Sequence, residues 1–349
     1  MQQDTIEYFR CPISGHRLRL QSVSKQDGNQ IIDGTLETSC GRYKYRISNG
    51  VPDFVDTLVK TADADSTLDL FGAEWQHFRN WGWLETYPDA ADSHLTQFVG
   101  LAESTRAAFR NKAPFNESDL GPDKMVLDAG CGNGRFSAMA AATGATVIAV
   151  DAGDSAYVAY ENLQGLENVT VLKADALNPP FPDDFFDAAY SIGVMQHTGI
   201  GPKLLKTLSR IVKPGKPFTV NCYGTGRPSY EFIGRLIRSV VTRISRDNQM
   251  KFAQFMAWTD RQFRKSERIG SWLRRSAFHR INILPTTHHM FHWYAPKIAE
   301  HYSPDQLNEW VANAGTTITK AKPTFHFAEY DDRERRRHHG AFQFRATVD

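Results

Sequence analysis

The sequence predicts an α/β fold: a mostly parallel sheet with helices on both faces, preceded by a small β-rich module and interrupted by a helical insertion. Three observations carry this. From Lys124 to Tyr223, short apolar runs alternate with helical segments, the order that lays strands side by side in parallel. The first run, MVLDA, opens into the glycine loop LDAGCGNGRF, a layout typical of the βα turn of a nucleotide-type site. Two further strand-like runs, TTITKAK and GAFQFRATV, close the chain after a long helical interval.

Residues 1–58 read as the β-rich module. TIEYFRCPISGHRLRLQ and YKYRISNGVPDFV alternate apolar and polar residues, with turn chemistry at Ser14-Gly15, Asp27-Gly28, Asp33-Gly34 and Asn49-Gly50. Residues 59–123 are a linker and an aromatic cover: TADADS is polar, and FGAEWQHFRNWGWL is aromatic and helical in pattern. Residues 124–225 form the core, with strands MVLDA, ATVIAVD, VTVLKAD, FFDAAYSIG and KPFTVNCY. The helices RFSAMAAATG, SAYVAYENLQG and GPKLLKTLSRIVKPG lie between them. Residues 226–302 are a helical insertion or lid. Residues 303–349 return to the core with SPDQLNEWVANAG and the closing strands.

Bulk properties narrow the classes of function. A net charge of +2 gives no global case for nucleic acid or membrane, so basic character must be local. No apolar run reaches the roughly 18 residues of a spanning helix. The start MQQDTIEYFRCP lacks a signal-peptide layout, and four scattered cysteines make no disulfide framework. A cytoplasmic location follows as the expectation. The sequence sets no oligomeric state.

The glycine loop departs from a dinucleotide pattern. Gly130, Gly132 and Gly134 bring the third glycine one residue too early for G-x-G-x-x-G, and Asp128 stands two residues before the first. A carboxylate there suits phosphate poorly on Coulomb grounds and suits a cation well. S-adenosylmethionine offers an α-ammonium and no phosphate. Asp151, ending the second strand, can accept from ribose hydroxyls. Asp175, ending the third, can accept from the adenine amine, with Ala176 and Leu177 beside the ring. Asp154 and Asp183 read as caps or turn residues.

Residues 124–223 resemble the class I S-adenosylmethionine-dependent methyltransferases. The resemblance rests on LDAGCGNG, the acid in IAVDAGDS, KADALNPPFPDDFFDAAYSIGVMQHT and RIVKPGKPF. It implies a Rossmann-like sheet of seven strands whose last is antiparallel. It also implies a cofactor set of Asp128, Gly130, Cys131, Gly132, Gly134, Asp151, Ala152, Asp175, Ala176 and Ser191. Lys216 stands where the family usually has a second glycine, in a turn remote from chemistry. FGAEWQHF, containing Trp75, resembles a segment that covers the cofactor in one bacterial branch, and WYAPKIAEHYSPDQLNEWVANAG resembles that branch's post-insertion segment.

Methyl transfer asks the protein for orientation and exclusion of water rather than a nucleophile. His197, Tyr223 and Tyr294 are the catalytic candidates. His197 reads either as a general base or as a histidine tied into loop hydrogen bonds and stacking near the cofactor. Asn221 and Tyr223 sit at the fifth strand's end, where they can orient substrate. Related sequences often carry His-His-Thr where Gln196-His197-Thr198 stands. In HHMFHWYAP, His288 and His292 share a helix face, but no carboxylate follows at a third-ligand spacing. Aromatic lid lining, with Trp293 and Tyr294, is therefore expected and no metal.

Between positions 235 and 280, twelve basic residues face three acidic ones, with Phe232, Leu236, Val240 and Ile244 at helical spacing. Such helices are either a solvated face or a lid attracting an acidic substrate, or a nucleic-acid or anionic membrane surface. CPISGHRL and SCGRYKYRISNGVPDF resemble a zinc-ribbon-like domain known as a tRNA-methyltransferase activator. Only Cys11 and Cys40 of its four cysteines remain, with Ser14 and Glu37 in the other places, so a metal-free module is expected. The leading expectation is a methyltransferase acting on a small-molecule acceptor, for which the basic insertion favours an acidic one, with no membrane partner. RNA methylation is the second reading, although SIGV replaces an Asn-Pro-Pro-Tyr-type tetrad. A non-catalytic cofactor-binding subunit is the third.

Overall fold

A computed structural model describes residues 1–55, 62–83, 103–225, 228–265, 286–324 and 341–349, together with Gly270, Trp272 and Ile281. The N-terminal part is a four-stranded antiparallel sheet in chain order, β1 (Leu18–Asp27), β2 (Gln30–Thr38), β3 (Lys44–Ser48) and β4 (Val51–Pro52). Two details differ from the sequence reading. Gln3–Tyr8 is a 3-10 helix rather than a strand, and Asp33-Gly34 lies inside β2 rather than in a turn. The β1–β2 hairpin is largely exposed on β1, so its polar residues show little alternation for a pattern to catch.

This sheet leans on the main one. Asp53 bridges in parallel to Lys173, and the Phe54 amide donates to the Lys173 carbonyl at 2.8 Å. Phe9, Tyr45 and Phe54 are buried in the same apolar cluster as Phe181, Phe186 and Leu172. Aromatic edges meet within the N-terminal part, Phe9 on Phe54 at 5.7 Å, and across the seam, Phe9 on Phe181 at 6.0 Å. Cys11 is buried with its sulfur 2.9 Å from the Tyr45 hydroxyl, whereas Cys40 is exposed.

Helix α1 (Ala62–His77) begins inside the stretch read as a polar linker. Thr61, Leu84 and the Arg268, Arg274, Arg275 and Arg280 of the insertion lie outside the described residues. Helix α2 (Glu103–Lys112) precedes the core.

The main sheet alternates β5 (Met125–Ala129), α3 (Arg135–Ala141), β6 (Thr146–Asp151), α4 (Ser155–Asn162), β7 (Val169–Lys173), β8 (Ala188–Ile192), α5 (Gly201–Ile211) and β9 (Pro217–Cys222). Helices α6 (Pro228–Val241), α7 (Arg246–Arg264) and α8 (Thr287–Tyr294) follow. Then come α9 (Pro304–Asn313), β10 (Thr316–Thr324) and β11 (Ala341–Val348). Strand order is β10-β11-β9-β8-β5-β6-β7, with β11 antiparallel to both neighbours and the five strands from β9 to β7 parallel. The seven-stranded α/β sheet expected from the sequence is therefore present. The chain runs outward from β5 to β7 and returns to β8, so a crevice opens beyond the carboxyl ends of β5 and β8.

Helices α6 to α8 make a second apolar cluster around Met256, Met290, Phe291 and Tyr294. Helix α6 is amphipathic, but Phe232, Leu236 and Val240 face outward at 61%, 56% and 60% exposure. Its buried side is set by Val241 and by Arg238, which donates to the Ala299 carbonyl at 3.0 Å. No helix among the described residues is long and apolar enough to cross a membrane.

Candidate functional site

The glycine loop leaves β5 with left-handed backbone at Gly130 (φ 92°) and Gly132 (φ 56°). Space also demands glycine: a Cβ at Gly130 would lie 2.1 Å from Val194, and one at Gly132 2.8 Å from the Trp75 indole. The Gly130 and Cys131 amides donate to the Val150 carbonyl, and the Gly132 amide donates to Asp151 Oδ2 at 3.0 Å. The other Asp151 oxygen accepts from the Gly153 amide and the Ser155 hydroxyl. Asp151 thus ties the loop to the end of β6.

Asp128 is buried beneath the loop. The Ser137 and Tyr190 hydroxyls both donate to its Oδ2, at 2.6 and 3.0 Å. Burial pushes its carboxyl up to about 7, against the pull of those two hydrogen bonds. Asp175 is half-buried after β7 and accepts from the Leu177 amide at 2.9 Å. Ser191 donates to the Ala129 carbonyl, Cys131 and Ala176 are buried, and Ala152 is half-buried. Burial, with Asp151 and Asp128 nearby, holds the Cys131 thiol well above its usual range and so unreactive.

Beyond the loop lies a packed aromatic cluster. Trp75, from α1, lies over Gly132, and the Arg135 guanidinium lies 4.9 Å from its ring. Phe71, one turn earlier, meets the rings of His197 at 4.9 Å and His292 at 5.4 Å. Tyr223 meets His197 edge-on at 5.6 Å. His197 Nδ1 lies 2.6 Å from the Ile298 carbonyl, which can only accept, so Nδ1 carries the proton. Burial, aided by His292, takes its pKa down to about 3, leaving a neutral ring with a lone pair at Nε2. That nitrogen is buried with no hydrogen-bond partner among the described residues. Burial also pushes the Tyr223 phenol well up.

Tyr294 is buried in the second apolar cluster, which also holds Tyr223, and meets Phe252 edge-on. The absence of a carboxylate near His288 and His292 in sequence is made good in space by Glu74 of α1. Its Oε1 lies 3.2 Å from His288 Nε2 and 3.1 Å from His292 Nδ1. Burial would raise the Glu74 carboxyl, but His292 and His288 more than offset it and hold it at about 2. Burial takes His288 down to about 4. The missed signal was a glutamate three residues after Phe71 and four before Phe78, at helical spacing with two aromatics.

Residues 127–220 match a family model described as a methyltransferase domain. A demethylmenaquinone methyltransferase of Clavibacter sepedonicus is 29% identical over 165 residues, covering 44% of this chain and 65% of that protein. A sterol 24-C-methyltransferase of Yarrowia lipolytica is 26% identical over 176 residues, covering 46% and 44%. The chain thus spans less than two thirds of the length of either relative. A geranyl diphosphate C-methyltransferase from Streptomyces coelicolor, solved with Mg2+, geranyl diphosphate and S-adenosyl-L-homocysteine, aligns with a TM-score of 0.47. It is 14% identical, over 83% of this chain and 98% of that one. Residues 127–220, which include the glycine loop and the strands that border the crevice already described, therefore match a methyltransferase domain.

Proposed function

We propose that this chain transfers a methyl group from S-adenosylmethionine to a small-molecule acceptor bound beside the aromatic cluster. The observation that carries the reading is adjacency: the glycine loop, tied to Asp151 and lying over Asp128, is covered by Trp75 of α1, and Phe71 of the same helix packs on His197, which in turn meets Tyr223. Asp128 serves the α-ammonium, Asp151 the ribose and Asp175 the adenine amine, with Trp75 covering the loop.

When bound, the cofactor supplies a methyl group on a sulfonium. The chain's own part is to exclude water, orient the acceptor and take a proton where the acceptor is a hydroxyl. His197 Nε2 is the group for that last task, because the Nδ1 bond to Ile298 fixes the tautomer and leaves Nε2 with no partner among the described residues. A small-molecule acceptor is supported by the names of the relatives, a demethylmenaquinone methyltransferase and a sterol 24-C-methyltransferase. The N-terminal sheet serves this reading as a metal-free, zinc-ribbon-like wall of the core.

Calorimetry with S-adenosylmethionine, followed by tritiated-methyl transfer across a metabolite extract and total RNA, tests the proposal. Cofactor binding with label in the small-molecule fraction is the expected result. Label in RNA would favour the second reading, to which the basic side chains of α6 and α7 lend themselves. Cofactor binding with no label in any fraction would leave a non-catalytic subunit.

A further inference from the structure

The polar groups in the aromatic cluster do not balance as a simple hydrogen-bond network. Glu74 Oε1 is approached by two imidazole nitrogens, and of these only His292 Nδ1 makes a hydrogen bond with it. His288 Nε2, 3.2 Å from the same oxygen, is buried with no hydrogen-bond partner among the described residues. The rings of His197 and His292 are 5.4 Å apart. A buried polar atom without a partner is costly, and one that faces two other donors is what a missing ligand would leave.

The spacing identifies the ligand class. An ion bound about 2.1 Å from each donor, at angles between octahedral and tetrahedral, places neighbouring donors about 3.0–3.4 Å apart. The distances from Glu74 Oε1 to His288 Nε2 and His292 Nδ1 are 3.2 and 3.1 Å, and all three donors lie within 4.8 Å of one another. His288 and His292 stand one helical turn apart, so α8 offers both from one face. The Thr286 cap, which accepts from the His289 amide, fixes where that helix begins. Trp81 stacks on His288 at 4.6 Å and holds its ring plane. Glu74 comes from α1, so the cluster joins two helices that are far apart in sequence.

We propose that Glu74, His288 and His292 bind a divalent transition-metal ion of the Zn2+, Co2+ or Fe2+ kind. Two imidazoles and one carboxylate make a borderline donor set that suits these ions and leaves coordination positions open. Metal binding stands on this geometry alone. Its role rests on the methyltransferase reading: an open position beside His197 would hold an oxygen of the acceptor.

The test uses untagged full-length protein, stripped with chelator and titrated with Co2+ by visible spectroscopy and with Zn2+ by calorimetry. The expected result is one ion per chain, with ligand-field bands and with imidazole nitrogens seen by X-ray absorption. Glu74→Gln and His292→Asn should each weaken binding by more than about 100-fold. X-ray absorption on the wild-type protein keeps the test decisive even where a variant fails to fold. The proposal falls if the stripped protein takes up no stoichiometric Co2+ or Zn2+, if the bound ion shows no imidazole nitrogen, or if folded variants bind like wild type. S-adenosylmethionine calorimetry on the same metal-free sample separates the two claims. Cofactor binding without metal uptake overturns only the metal site, and metal uptake without cofactor binding overturns only the proposed function.

Discussion

At the end of β5 the Asp128 carboxyl is buried beneath the glycine loop, and burial pushes it up from 3.8 to about 7. Between those values the folded protein keeps a proton that the unfolded chain has lost, so this group's contribution to stability falls as pH rises through that window. A cationic ligand group beside Asp128 favours the ionised form, and binding below pH 7 must then expel the proton. Affinity for S-adenosylmethionine should accordingly weaken from pH 7 to 5.5, by up to about tenfold per unit. Calorimetry in buffers of different ionisation enthalpy reads both the trend and the released proton, and Asp128→Asn should lose both. His197 behaves in the opposite sense. Its depressed pKa contributes stability above pH 6.5 that is lost as pH falls towards 3. For a hydroxyl acceptor, His197→Ala should lower kcat by about 100-fold or more while the cofactor Kd moves less than twofold. An unchanged kcat would leave this histidine a purely structural part of the loop. Asp128, Asp151 and Asp175 were legible because strand ends in sequence are strand ends in space. Glu74 was not, because its partners lie on a helix more than two hundred residues away.

Elements were legible where burial is two-sided. β5, β6 and β8 are covered on both faces and read as near-continuous apolar runs. Helix α6 shows the converse: its apolar stripe was evident, but docking through Arg238 turned Phe232, Leu236 and Val240 outward. Contact between α1 and the glycine loop gives a direct test at this scale. Gly132→Ala adds a Cβ 2.8 Å from the Trp75 ring at a φ of 56°. It should cost about 1–3 kcal/mol in urea unfolding. Trp75→Ala in the same background should recover only the part due to the clash. If the double variant is no more stable than Gly132→Ala, the loss belongs to the backbone alone.

In the whole molecule, the small sheet and the large one share one apolar cluster, so they should unfold together. Phe54, 1% exposed, sits at the seam between Phe9, Tyr45 and the Lys173 backbone. Phe54→Ala should cost about 3–5 kcal/mol and keep far-UV and tryptophan signals on one transition. Two separate transitions would show that the N-terminal sheet is only lightly attached.

The position of β11 bears on how the molecule is made. It pairs with β9 on one side and β10 on the other, yet it is supplied by residues 341–348. At about 5–20 residues per second, ribosomal synthesis of the segment between β9 and β11 takes roughly 6–24 s. Throughout that interval β9 presents an unpaired edge to solvent or to a chaperone. The nascent chain therefore depends on its helical insertion, or on help, to shield that edge until the final strand emerges.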